Sequence, residues 1–272
     1  MRTAITPLSI ATPCSLADAL DMLHGAPLVP IAGSTDLYVG LNFGTLASQH
    51  FVDITRLPEL RGISVRDDRL VIGAGTTFTT IMQDALVQER LPMLVQAASQ
   101  IGGVQIQNRA TLGGNIANGS PAGDSLPVLA AADAMLVLRS ATAERRVAFT
   151  EFHTGYRASV LRPDELIIAI EIPRVEGRQW FRKVGTRAAQ AISKLVIAAV
   201  RAPAPRIAIG SVAATTVRLP RTEAALASGA GIDEAANVLE AEITPIDDIR
   251  SSADYRRQVA ANLLRRFWLD TA

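Results

Sequence analysis

Two glycine-rich segments carry the residue types best suited to chemistry in this sequence, AGSTDL at 32–37 and TLGGN at 111–115. Successive backbone N–H groups in such turns form a concave nest that takes a phosphate oxygen, and the hydroxyls of Ser34, Thr35 and Thr111 add donors. A diphosphate needs several donors from two sides, which two loops together supply. Either loop alone is equally well a tight turn whose glycines provide a positive φ. The familiar alternatives are missing. No GxGxxG opens a helix, no GxxxxGK followed by Ser or Thr occurs, and GAGTTF at 73–78 has Phe78 where the third glycine belongs. GxSxG and HExxH are absent, and His24, His50 and His153 are scattered, reading as surface or internally satisfied side chains.

The elements that must position the two loops follow from periodicity. Leu16, Ala19, Leu20 and Leu23 fall at helical spacing behind a Ser15 cap, predicting a helix over 15–24. LVPIA at 28–32 reads as a buried strand running straight into GSTD, and FVDIT at 51–55 as a second strand after a polar connection, a small βαβ-like unit. Segments 63–66 and 69–73 flank Asp67 and Asp68 as a hairpin, and Thr76 or Thr77 caps a helix over 79–88. A helix over 91–101, with Pro92 in its first turn, leads into GGVQIQNRATLGGNIANGSPAGDS, a long irregular stretch of the kind that usually carries function. A helix near 125–132, strands at 134–139 and 145–149, and the alternating run at 165–173 complete this part, with a domain boundary at 173–178. Three antiparallel strands (180–185, 193–202, 206–215) and three helices (220–228, 232–242, 252–269) follow. In the last helix Tyr255, Val259, Leu263 and Phe267, spaced by four, read as a core-facing stripe.

Composition narrows the function further. Over 272 residues, 27 Lys and Arg against 26 Asp and Glu give a net charge of +1, no global field for nucleic acid or an anionic membrane. Cys14, the only cysteine, excludes an internal disulfide, a four-cysteine iron–sulfur site and a structural zinc site within the chain, and fits a reducing cytoplasm. The apolar runs at 126–138 and 194–200 are too short or too charged to span a membrane, and the N-terminus lacks the pattern of a secretory signal. A hydrophobic content of 49% suffices for a core, and no internal repeat is visible.

PIAGSTDL, VIGAGTTFTTI, ATLGGNIANGSPAGDSLPVLAAADA and FRKVGTRAAQAISKLVIAAV, in this order and spacing, resemble the FAD-binding (medium) subunit of the molybdenum hydroxylases. That family includes the flavin subunit of carbon monoxide dehydrogenase and the flavin part of xanthine dehydrogenase. The resemblance covers nearly the whole chain, through ADYRRQVAANLLRR at 253–266, and TLGGNIANGSPAGD is its most specific piece. It implies an α+β fold: a two-subdomain FAD-binding domain of the vanillyl-alcohol-oxidase (PCMH-like) type over 1–174, divided near 56, then a C-terminal three-stranded antiparallel sheet with three helices over 175–272.

By the same resemblance, Ile31, Ala32, Gly33, Ser34, Thr35, Asp36 and Leu37 wrap one side of the FAD pyrophosphate, and Thr111, Gly114 and Asn115 the other. Asp124 reaches the flavin or its ribityl chain, competing with an ordinary N-cap of the helix that follows. Lys183 supplies positive charge near the flavin, competing with an exposed strand lysine. Leu166 and Ile192 lie against the isoalloxazine, or are plain core. Ser34 departs from the family's frequent second glycine. No metal site and no catalytic side chain are implied in this chain. Molybdopterin belongs to a large partner subunit and two 2Fe–2S clusters to a small one, in a dimer of heterotrimers, and electrons leave through FAD to NAD, oxygen, a quinone or another carrier. A stand-alone FAD oxidoreductase, such as a UDP-N-acetylenolpyruvylglucosamine reductase, and a flavin-free assembly module are the competing readings.

Overall fold

The computed structural model describes residues 8–46 and 48–272. Its first lobe contains β1 (Ser9–Ala11), α1 (Leu16–Gly25), β2 (Val29–Ile31), α2 (Leu37–Phe43) and β3 (His50–Asp53), with a parallel sheet in the order β1-β3-β2. Ser15 caps α1 by accepting from Asp18 N at 3.1 Å, and Leu16, Ala19, Leu20 and Leu23 are buried, as the spacing predicts. β2 departs from expectation. It is apolar but not buried, with Val29 39% exposed, because Val29 and Pro30 line a cleft instead of a core. The connection after it, expected to be a polar link, also contains α2.

A 3₁₀ turn, Pro58–Leu60, leads to the second lobe. Its sheet is antiparallel in the order β4-β5-β10-β6-β7, formed by β4 (Ile63–Arg66), β5 (Arg69–Gly73), β6 (Met135–Arg139), β7 (Glu144–Ala148) and the central β10 (Leu166–Ile172). The helix expected over 79–88 is two, α3 (Phe78–Gln83) and α4 (Ala85–Arg90), because the Asp84 carboxylate caps a new helix at Val87 N. Thr77 is the cap of α3. After α5 (Pro92–Ser99), the stretch expected to be irregular contains α6 (Val104–Gln107) and α7 (Leu112–Asn118), followed by α8 (Leu126–Ala131). A short helix, α9 (Phe149–Phe152), and the hairpin of β8 (His153–Gly155) and β9 (Ala158–Ser159) precede β10.

The last sheet has four strands, not three. A short β14 (Val217–Arg218) joins β11 (Arg178–Val184), β12 (Leu195–Arg201) and β13 (Arg206–Gly210). Both faces are covered, so LVIAAV is continuously apolar. Phe181, Val196, Ala198, Val200 and Ala208 pack into the core of the second lobe, and Trp180, Leu195, Ile197, Ala199 and Ile209 pack under α10 (Pro220–Ala227), α11 (Ile232–Glu242) and α12 (Ala253–Asp270). On α12 the buried face is Arg256, Ala260, Ala261, Leu264 and Phe267; Tyr255 is 42% exposed, since a spacing of four drifts off a 3.6-residue turn. Arg256 is tolerated inside because its guanidinium reaches Asp248 at 2.6 Å and Ser211 O at 2.9 Å.

The two lobes touch where the loop after β2 meets the segment before α7. A Cβ built on Gly33 would lie 2.1 Å from the carbonyl oxygen of Arg109. Gly33→Ala is therefore expected to cost about 1–3 kcal/mol of stability by forcing these backbones apart, read as a lowered denaturation midpoint; an unchanged midpoint contradicts the close approach.

Candidate functional site

The contact at Gly33 divides a groove between the lobes into two adjoining clefts. The wider, about 480 Å³, is lined mostly by apolar side chains, Val29, Ile54, Leu60 and Leu166 among them. The narrower, about 180 Å³, is lined by all of Ile31 through Leu37 together with Thr111, Gly114 and Asn115. Pro30, Ala32, Gly33, Thr111, Gly114 and Ala117 line both, so they form a shared waist.

The two loops contribute unequal donors. Among the described residues, the amides of Gly33, Ser34, Thr35 and Asp36 donate to nothing, while Ser34 O accepts from Tyr38 N and opens α2. Ser34 itself sits at φ 63, a left-handed conformation, its hydroxyl turned back to Ala32 O at 3.2 Å. The TLGGN segment is different. It is the first turn of α7, and most of its amides are already taken: Leu112 N by Thr76 O, Gly113 N by Ala74 O, and Gly114 N by the Thr111 hydroxyl. Besides the Thr111 amide, which has no acceptor among the described residues, it offers side chains. The Thr111 hydroxyl accepts from Gly114 N and retains its own proton to donate; Asn115 accepts from the Ser125 hydroxyl through Oδ1 at 2.7 Å, leaving its amide nitrogen free among the described residues.

Asp124, Lys183 and Ile192 line neither cleft. Asp124 is not an N-cap; Ser125 occupies that position of α8. Its carboxylate instead receives Lys183 Nζ at 2.6 Å and the Ser193 hydroxyl, and Lys183 also donates to Gln100 O at 3.0 Å. Lys183 is not an exposed strand lysine either, for its side chain is only 6% exposed. Burial pushes the Asp124 carboxyl above the usual carboxylate range, against the opposing pull of Lys183 and Ser193. Ile192 is 59% exposed, beside Ser193, while Leu166 is buried in the wider cleft's wall.

Sequence reasoning passed over several wall residues. GAGTTF fails as a dinucleotide fingerprint, yet Gly75 and Thr77 line the wider cleft, because Thr77 bridges to Thr111. Arg61, Asn108 and Arg109 line it too. Glu165 does as well, but both its oxygens are held by Arg145, at 2.7 and 2.8 Å, and Arg162 N adds a bond at 2.9 Å. Those bonds hold its carboxyl below the ordinary range, so it is a fixed wall anion, not a proton shuttle.

Two lobes meeting at a waist of free backbone donors define a cofactor-binding protein of mixed helix and sheet. Residues 6–175 match the FAD binding domain in molybdopterin dehydrogenase, and residues 180–271 the CO dehydrogenase flavoprotein C-terminal domain. The carbon monoxide dehydrogenase medium chain of Hydrogenophaga pseudoflava is 30% identical over 267 residues, covering 93% of each chain. The xanthine dehydrogenase FAD-binding subunit of Escherichia coli O157:H7 is 42% identical over 161 residues, 58% of this chain; the match spans about half, 55%, of that relative. Among solved structures, carbon monoxide dehydrogenase from H. pseudoflava aligns with a TM-score of 0.89 at 30% identity over 95% of each chain. Quinoline 2-oxidoreductase from Pseudomonas putida 86 aligns at 0.91 and 26% identity, over 97% of this chain and 96% of that one. The chain belongs to the family of FAD-binding subunits of molybdopterin dehydrogenases. No helix among the described residues is long and apolar enough to cross a membrane.

Lys183→Met leaves Asp124 buried without its partner, an expected loss of about 3–5 kcal/mol at neutral pH. The sign with pH follows from the raised carboxyl. The folded state holds that proton more tightly than the unfolded chain, so stability falls as pH rises through the folded pKa, and removing Lys183 raises that pKa further. Denaturant midpoints of the variant are expected to recover towards the parent's on acidification; a constant deficit between mildly acidic and alkaline pH contradicts the pairing.

Proposed function

We propose that this chain holds FAD across the waist and serves as the electron-exit subunit of a cytoplasmic molybdenum hydroxylase, with a large molybdopterin subunit and a small 2Fe–2S subunit as partners in a dimer of heterotrimers. The observation that carries the reading is the row of amides from Gly33 to Asp36, without acceptors among the described residues, that lines the narrower cleft together with Thr111 and Asn115. Gly33 to Thr35 are half-buried and Asp36 is exposed, and a run of amides without protein acceptors suits an anion whose several oxygens take them together. Bound FAD supplies the redox chemistry, passing electrons that arrive from a partner's iron–sulfur clusters to an external acceptor.

The chain's residues bind and tune. Residues 33–36 with Thr111, Gly114 and Asn115 would hold the diphosphate, the wider apolar cleft with Leu166 would take the adenosine, and Asp124, Lys183 and Ile192 would lie towards the isoalloxazine. This last direction is supported by the chain of contacts from Asn115 through Ser125 to its neighbour Asp124 and on to Lys183. Leu166 and Ile192 then serve opposite ends of the cofactor. Lys183, shielded from water and paired with Asp124, would tune the electrostatics of a flavin beside it. Residues 1–174 act as an FAD domain of the vanillyl-alcohol-oxidase (PCMH-like) type and 175–272 as the domain that closes its flavin end. The match of 180–271 to a flavoprotein C-terminal domain weighs against a stand-alone reductase, which needs a substrate domain there.

Titrating the full chain with FAD is expected to quench flavin fluorescence with saturable stoichiometry. Gly114→Val combined with Asn115→Ala is expected to weaken that binding by about tenfold or more with the chain still folded, because even a Cβ at 114 comes within 2.9 Å of the Thr111 hydroxyl. Unaltered flavin uptake by the double variant counts against the waist. Leu166→Ala separates the two ends: ADP and FAD affinities are expected to fall together, whereas a loss confined to FAD puts the isoalloxazine in the wider cleft.

A further inference from the structure

The narrower cleft has a charge problem as a diphosphate site. Of the residues lining it, Pro30 to Leu37 with Ala110, Thr111, Gly114, Asn115, Ala117 and Asn118, only Asp36 is ionisable, and it is an anion. A diphosphate bound in this cleft would bring two further negative charges near Asp36, where, within a Debye length of about 8–10 Å at ordinary ionic strength, salt screens the repulsion only in part. The cation that answers Asp36 comes from the other lobe. Arg157, at the tip of the β8–β9 hairpin, places its guanidinium 3.8 Å from Asp36 Oδ1. Both side chains are half exposed, so as an isolated ion pair they contribute little to stability.

The hairpin is nonetheless built to hold Arg157 there. Its backbone sits at φ 52, outside the range most side chains adopt. The hairpin is seated on the far end of α7: His153 Nε2 bonds Ile116 O at 2.9 Å, and its ring packs edge-on against Phe149 and Phe152. A Cβ at Gly119, which ends α7, would meet that ring at 3.1 Å and come 3.7 Å from Arg157 Cα. Arg157 thus rides on the same helix whose first turn lines the cleft, and reaches across to the loop that carries the free amides.

Resting on the FAD reading above, we infer that Arg157 is the charge-balancing residue of the diphosphate site: it neutralises Asp36, the one charge in the cleft's own lining, so that incoming phosphates meet no net negative charge there. Arg61 lines the wider cleft, and Arg109, whose carbonyl meets Gly33 at the waist, lines it too, so both are compared with Arg157 in the test.

The test uses the full chain, with ADP, FAD and riboflavin as probes, over a range of salt concentrations. Arg157→Ala is expected to weaken ADP and FAD about tenfold at low salt, with the deficit shrinking as salt screens it, and to leave riboflavin, which has no phosphate, unchanged. Arg157→Lys is expected to retain affinity within about threefold, and Asp36→Asn in the Arg157→Ala background to restore most of the loss. The assignment is overturned if Arg157→Ala leaves ADP affinity and its salt dependence intact, if riboflavin falls as far as FAD, or if only Arg61→Ala or Arg109→Ala flattens the salt dependence. Failure of the parent chain to bind FAD or ADP removes the FAD reading itself and this inference with it; parent binding with an indifferent Arg157→Ala removes the inference alone.

Discussion

Where the loop after β2 passes the carbonyl of Arg109 there is no space for a side chain, and the arrangement of both clefts depends on that contact. Gly33 brings the parallel three-stranded sheet against the segment that opens α7, so residues far apart in sequence become opposite walls of one waist. Gly113 serves the same end one layer down, since a Cβ there would lie 2.6 Å from the Ala74 side chain. These glycines are required by close approach of backbone, not by left-handed torsion. The residue of the loop that does adopt a left-handed conformation is Ser34.

That packing also explains the imbalance of donors. A helix start normally leaves four amides unpaired, but α7 begins against the turn after β5, and Thr76 O and Ala74 O take its first two amides while Thr111 caps the next. One side of the waist is therefore largely satisfied, presenting a hydroxyl, a carboxamide and the Thr111 amide. The other side, Gly33 to Asp36, has its backbone donors in reserve. Behind this waist, the Asp124–Lys183 pair joins the end of the α7–α8 connection to β11, and the two-faced sheet β11–β14 packs its inner face into the second lobe's core. A buried pair of this kind is a poor source of net stability, yet it fixes how neighbouring elements are oriented.

Local chemistry was legible in the sequence where the deciding contacts are local. The Ser15 cap, the hairpin at Asp67 and Asp68, the Pro92 helix start and the alternation of β10 were all readable. So were the two loops, since glycine, serine and threonine cluster visibly at 32–37 and 111–115. α7 was hidden because two glycines and two asparagines lower its helix propensity, and tertiary contacts to Thr76 and Ala74 repay that. β2 reads as core in the sequence because periodicity does not distinguish a strand buried by protein from one lining a cleft. The pairings of Asp124 with Lys183 and of Asp36 with Arg157 span 59 and 121 residues, and no spacing rule reaches so far.

The most direct test of the account is amide hydrogen exchange, residue by residue, with and without FAD. Protection on binding is expected at Gly33, Ser34, Thr35 and Asp36, whose amides have no acceptor within the described chain, and little change at Leu112, Gly113 and Gly114, which are already bonded. Protection appearing at 112–114 with none at 33–36 would contradict it.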